Sequence, residues 1–188
     1  CDPAPACPQP RPDEDAADSA GCRRPLNGVT IMSQAQRFLC EAIELAQTNM
    51  EHGGRPFGAV VVKDSEVVAT GVNEIVTTND PTAHAEMTAL RAASRKLASP
   101  NLAGCAVYAS GHPCPMCMAA MRLSGVSEVY YAYSNDDGAP FGLSTAAIYA
   151  DLAKPFAEQS MKIAYVPVRP EAGPDLYAEW KRRQPKSA

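Results

Sequence analysis

A chain of 188 residues, 46% hydrophobic and 20% charged, has the ordinary composition of a globular protein and enough apolar material for one compact core. Seventeen Lys and Arg against 21 Asp and Glu leave a formal charge of -4, so a strongly basic coat is excluded and nucleic acid is not expected as a partner. No apolar run approaches the roughly 20 residues that cross a bilayer, so no membrane span is expected, and the seven Cys, an odd number, argue against a closed disulfide framework.

Residues 1–31 differ in kind from the rest of the chain. They hold six of the 17 Pro and three of the seven Cys, with an acidic tract from Asp13 to Asp18. Pro3, Pro5, Pro8, Pro10 and Pro12 forbid a regular helix there. The stretch reads as a flexible leader or a cloning remnant; the competing reading is a metal-binding or disulfide tail built on Cys1, Cys7 and Cys22. It lacks the basic start and apolar stretch of a secretory signal, so a cytoplasmic location is expected. The domain proper is read as 32–188, with 14 basic and 16 acidic residues.

Within that domain strands alternate with helices. Leu39, Ile43, Ala46 and Met50 recur at helical spacing and predict a helix over 35–51, stopped by Gly53 and Gly54. Ala59–Val62 and Val67–Thr70 read as two strands of a hairpin around Lys63-Asp64-Ser65-Glu66. A polar loop over 77–82 leads to a helix predicted at 83–97. A strand at 106–109 runs into the turn Gly111-His112-Pro113, and a helix with Pro115 in its first turn follows to Leu123. A strand at 129–133, a helix at 145–153, a final strand at Ile163–Val166 and a terminal helix at 175–183 complete the pattern. The sum predicts an α/β layer architecture with about five strands.

Two of the predicted helix starts carry chemistry. Pro113-Cys114-Pro115-Met116-Cys117 places two thiols on one turn, where both can face a single metal and the helix N-terminus favours the thiolates. Pro81-Thr82-Ala83-His84-Ala85-Glu86 adds an imidazole as third ligand. Three protein ligands leave the fourth position of a zinc ion for water, the pattern of a catalytic site. Glu86, two residues beyond His84, suits a carboxylate that serves this water without binding the metal. His-x-Glu with Pro-Cys-x-x-Cys is the signature of zinc deaminases, in which the Glu carries the proton. Alone, the Cys pair could be a redox pair, and a closed structural site would need Cys105 or His112 as a fourth ligand. His112 is the closer rival, although it reads better as a pocket residue.

On these motifs, together with Gly54-Arg55-Pro56-Phe57-Gly58-Ala59-Val60, Asn73 and Asn79-Asp80-Pro81, the chain resembles the cytidine and deoxycytidylate deaminase superfamily, and within it the zinc-dependent guanine deaminases of bacteria. Ile148-Tyr149, Lys154-Pro155 and the aromatic segment around Tyr177 and Trp180 add to the likeness. The resemblance implies a three-layer α-β-α fold around a mixed five-stranded sheet, a zinc ion on His84, Cys114 and Cys117, and Glu86 as the catalytic proton carrier. It implies a small-molecule substrate, a nucleobase or nucleoside, held by Asn73, by Phe57 under the ring and by backbone groups around Ala85. It further implies a homodimer in which a C-terminal segment, 172–188, is exchanged so that Tyr177 or Trp180 closes the partner's pocket.

Two departures bear on the substrate. The family's Glu before the Pro-Cys pair is His112 here, and the acidic pair that reads the purine N–H groups is replaced around Leu143, Ser144 and Thr145, with Asp136 and Asp137 nearby. Guanine is the expected base, with other amino-purines or pyrimidines as alternatives. A tRNA adenosine deaminase would share both motifs but needs a positive surface, for which only Lys181, Arg182, Arg183 and Lys186 stand together. A zinc-stabilised scaffold without activity would have no need of Glu86.

Overall fold

The computed structural model describes residues 33–169, 171 and 173–184, so the expectations for 1–31 lie outside the described residues. The described chain falls into two compact units that meet in sequence at Thr145 and Ala146.

The first unit opens with helix α1 (Gln34–Glu51), where Ser33 and Gln36 form a capping box. Strands β1 (Gly58–Lys63) and β2 (Glu66–Val72) follow, then the short helix α2 (Ile75–Thr78) and helix α3 (Ala85–Lys96). Strand β3 (Cys105–Gly111), helix α4 (Pro115–Leu123), strand β4 (Glu128–Tyr133) and the single turn α5 (Asn135–Gly138) complete it. The β1–β2 hairpin is tighter than its sequence implied. Lys63 pairs with Glu66, and Asp64 and Ser65 both take positive φ, 49° and 67°, as a two-residue turn matched to strand twist requires.

The sheet order is β2-β1-β3-β4, antiparallel across the first two pairings and parallel between β3 and β4. It is therefore mixed, but it has four strands rather than the five expected. Central β1 is buried along Gly58–Val62 because helices cover both faces, which is why it reads as an unbroken apolar run. Val60 and Val62 pack with Phe38, Ala42 and Tyr108 on the α1 face. Ala59 and Val61 pack with Ala85, Ala89, Ala93, Cys117 and Met121 on the α3–α4 face. Each fully buried Val is worth roughly 1.5–3 kcal/mol over an exposed one. Small residues bring α3 close to β2: a side chain on Gly71 would overlap the Ala85 carbonyl and the Ala89 amide. That approach fixes where the start of α3, with its His and Glu, stands above the sheet.

The second unit holds α6 (Ala146–Leu152) and α7 (Leu176–Arg183). Asp175 caps α7 by accepting from the Tyr177 and Ala178 amides, and the Asp151 carboxylate accepts from the Ser160 amide and hydroxyl. The predicted strand at Ile163–Val166 is not formed. Ile163, Tyr165, Val166 and Val168 are exposed, and the segment joins no ladder among the described residues. Alternating apolar residues state which side wants burial, whereas a strand also needs a neighbouring edge to pair with. Among the described residues no helix is long and apolar enough to cross a membrane.

Candidate active site

The two helix starts singled out by sequence converge. His84 is the N-cap of α3 and Cys114 the N-cap of α4, both in extended conformation (φ -70°, ψ 155° and φ -72°, ψ 168°). Neither side chain caps its own helix. Each turns toward the other, with His84 Nδ1 at 3.5 Å from Cys114 Sγ. The expectation that His84 lies inside its helix is thus corrected by one turn position: the helix begins at Ala85, after the ligand. Cys117, one turn into α4 and fully buried, places its Sγ 3.5 Å from Cys114 Sγ.

These three ligand atoms lie within 4.8 Å of one another, the one such His/Cys/Asp/Glu group among the described residues. Zinc–sulfur bonds of about 2.3 Å and zinc–nitrogen bonds of about 2.0–2.1 Å at tetrahedral angles put ligand atoms roughly 3.5–3.8 Å apart. The S···S separation and the separation of Cys114 Sγ from His84 Nδ1, both 3.5 Å, match that spacing.

Electrostatics agree with a thiolate site. The hydrogen bond shared with Cys117 draws the Cys114 thiol down to about 4, with the His84 ring helping. Cys117 itself is pushed up, first by that shared hydrogen bond and then by burial. The pair without metal carries one charge, and a cation restores two. Glu86 sits at position two of α3, 7% exposed, with Oε2 3.4 Å from Cys117 Sγ. Burial raises its carboxyl above the usual range, the direction that suits a group exchanging protons near neutrality.

A polar clamp holds the loop before His84. The Asp80 carboxylate accepts from the Thr82 amide and hydroxyl at 2.8 and 2.7 Å, and Arg91 donates to the same hydroxyl at 2.8 Å. Ala83 O accepts from the Glu74 amide at 2.8 Å, tying this loop to the segment that carries Asn73. Asn73 is 3% exposed, its N–H donates to Phe57 O at 3.1 Å, and its Oδ1 accepts from the Ile75 amide at 3.3 Å.

A cavity of about 460 Å³ opens beside the motif, lined among others by Phe57, Ser110, His112, Tyr133 and Leu143. The metal ligands are not in its wall; Gly111 and His112, which lead into Cys114, are. His112 Nδ1 faces Pro113 O at 3.0 Å, and its ring meets Tyr131 edge-on at 4.7 Å. Nδ1 against a carbonyl donates to it. Asp137 lines the cavity, but its carboxylate accepts from the Ser134 amide and hydroxyl at 2.7 and 2.6 Å, and Asn135 Oδ1 accepts from the Thr145 amide at 2.9 Å.

Ile43, Ala46 and Met50, whose spacing predicted helix α1, all border this cavity. Sequence reasoning missed Ser110, whose hydroxyl accepts from the Gly58 amide at 3.0 Å and pins the start of β1 to the end of β3. A lone Ser closing an apolar strand was the available signal. Tyr177 and Trp180 lie exposed on α7 in the second unit, Tyr177 79% and Trp180 63%.

Comparison with known proteins places this geometry. The model of the cytidine and deoxycytidylate deaminase zinc-binding region matches residues 32–133. The chain belongs to this family. The His84, Cys114 and Cys117 trio is its zinc site, and the chain is a zinc-binding hydrolase of that superfamily. It is 38% identical over 147 residues to the guanine deaminase of Bacillus subtilis, a match covering 78% of this chain and 93% of that protein. The crystal structure of that guanine deaminase superposes with a TM-score of 0.73 at 37% identity, over 81% of this chain and 97% of that one. A tRNA-specific adenosine deaminase of Aquifex aeolicus is 32% identical over the same share of both chains, 78% and 93%. A guanine deaminase structure from Nitrosomonas europaea gives a TM-score of 0.55 at 30% identity, over 60% of this chain and 65% of that one.

Proposed function

We propose that this chain catalyses the zinc-dependent hydrolytic deamination of guanine, giving xanthine and ammonia. The observation that carries the reading is the buried Glu86 carboxyl placed against an open three-ligand set, in a chain similar over nearly its whole domain to a guanine deaminase. When bound, zinc would lower the pKa of a coordinated water toward about 7, so that a nucleophile exists at neutral pH. Glu86 takes one proton of the attacking water and delivers it to the ring nitrogen next to the amino-bearing carbon; it then takes the remaining proton of the added hydroxyl and passes it to the amino group, which leaves as ammonia as the C–N bond breaks and the carbonyl forms. Burial raises the Glu86 carboxyl, the direction that suits a group handing a proton on.

Asn73 and Phe57 hold the base, Asn73 by its side-chain amide and Phe57 against the ring face. The carbonyl of Ala83 and both peptide groups of His84 already have backbone partners, and we assign the backbone groups around Ala85 to the substrate. His112 stands where related enzymes carry a carboxylate, and we assign its ring to the wall facing the base. Because Asp137 is committed to Ser134 and Ser144 and Thr145 carry no charge, guanine's N–H groups meet fewer anionic acceptors here. That observation favours a second reading, deamination of another amino-purine or a nucleoside by the same machinery. We assign Tyr177 and Trp180, exposed on α7, to the closure of a partner's pocket in a homodimer with exchanged C-terminal segments.

The test is ammonia release by zinc-loaded protein from guanine, guanosine, adenine, adenosine, cytosine, cytidine and a tRNA anticodon stem-loop. Guanine is expected to lead, and Glu86→Gln to lower kcat by about 10²–10⁴-fold at full zinc content. Faster release from another member of the panel moves the substrate to that base. Equal rates for wild type and E86Q contradict the mechanism.

A further inference from the structure

The side chain of Asn49 does something that helix α1 itself does not need. It lies one turn from the end of that helix and reaches away from it. Its Nδ2 donates both hydrogens, one to Arg55 O at 2.8 Å and one to Asn73 O at 2.9 Å. The first bond holds the loop that carries Phe57, and the second holds the end of the β2 strand that carries Asn73. The third side of the triangle is the Asn73 amide donating to Phe57 O at 3.1 Å. The Glu74 amide then bonds Ala83 O, so the same triangle abuts the loop that delivers His84.

Gly54 provides an independent observation. A Cβ there would overlap the Asn49 side-chain amide, and the Gly54 amide itself donates to Asn49 O at 2.8 Å. Gly54 does not take the left-handed φ that Gly53 does, so its lack of a side chain answers to space rather than to backbone conformation. The residue is small because the Asn49 amide occupies the place of its side chain.

We propose that Asn49 is a positioning residue: its amide sets the spacing between Phe57 and Asn73, and through them the affinity for the base rather than the rate of proton transfer. This rests on the reading that those two residues hold the substrate. Asn49 touches neither the reacting atoms nor the ligand trio, so its loss leaves zinc binding and Glu86 in place. Two neutral hydrogen bonds anchor the two walls.

The experiment compares Asn49→Ala, Asn49→Asp, Gly54→Ala and the N49A/G54A double variant, each checked for zinc content and Tm. Expected is a KM for guanine raised about tenfold, with kcat within about twofold, in all four. G54A reaches the same amide without altering its donors, so the double variant should be no worse than N49A alone, a non-additivity of coupled neighbours. Exchange of the Asn73 amide, measured without substrate, should speed up in each variant. A role confined to folding would lower Tm and zinc content with kcat, leave KM unmoved and make the two substitutions additive; that pattern overturns the proposal. Unchanged Asn73 exchange in N49A and G54A overturns it as well, whichever base the wild type turns out to use. Absence of guanine turnover in the wild type, by contrast, strikes the substrate assignment and leaves the exchange measurement to decide on Asn49.

Discussion

The two helix starts that form the zinc site solve the same problem with different materials. At α4 the ligands are buried: Cys117 is 0% exposed and Cys114 8%, with Pro115 presetting the first turn and Met121 packing one turn beyond Cys117. At α3 the ligand His84 is only half-buried and the loop before it is held by polar contacts, Asp80 to Thr82 to Arg91. One arm is therefore set by packing and the other by hydrogen bonds at the surface. The lesson concerns cost. An N-cap residue that gives its side chain to a metal cannot cap its helix, so the rest of its loop must be fixed by other means. The cysteine arm draws on the core for this, and the histidine arm on a polar clamp.

That contrast can be broken most strongly at the buried arm. Cys117→Ala should lower zinc affinity by more than the roughly 10–100-fold that losing an outer partner of a ligand costs, and should lower Tm, read by competition with a chelating dye and by calorimetry. Changes at the polar arm should be milder. Arg91→Ala and Thr82→Val are expected to weaken zinc by less than about tenfold and to leave the Cys pair unaltered. If Arg91→Ala were as damaging as Cys117→Ala, the division between the arms would be wrong.

Thiol reactivity sharpens the comparison further. In zinc-stripped protein, Cys114 is ionised above about 4, whereas burial and the shared proton keep Cys117 in the thiol form. Alkylation at pH 6 should therefore mark Cys114 first, with Cys117 and the buried Cys105 slower, and zinc should protect the pair. The smallest effect concerns acid. Hydrogen bonds from Thr82, then the Arg91 charge, hold the Asp80 carboxyl below the usual carboxylate range. The clamp is thus complete above the ordinary Asp pKa and is lost only as pH falls through the lowered one. In Thr82→Val the Asp80 titration, followed by NMR, should move back up toward the ordinary value.

Much of this was legible in the sequence because it depends on local spacing. Cys114 and Cys117 share one turn of a helix and Pro115 marks its first position, so the thiols' convergence followed from three residues. The pairing of His84 with that turn followed from the motif order, although its place at the cap rather than within the helix did not. What escaped lay in long-range geometry. Ile163 to Val166 had the pattern of a strand, but pairing requires an edge that no local pattern names. Ile43 and Met50 repeat at core spacing, and nothing in that repeat says that their face borders a cavity. Asn49 gave no signal at all, since its partners Arg55 and Asn73 are carbonyls, and backbone acceptors leave no mark on residue type.

The most direct test of the account is zinc K-edge X-ray absorption on the metal-loaded protein at neutral pH. The account predicts two sulfurs near 2.3 Å and two lighter atoms near 2.0 Å, only one of them an imidazole nitrogen, with the same shell in E86Q. A second imidazole, supplied by His112, would close the coordination sphere and contradict the claim that the fourth position stays open for chemistry.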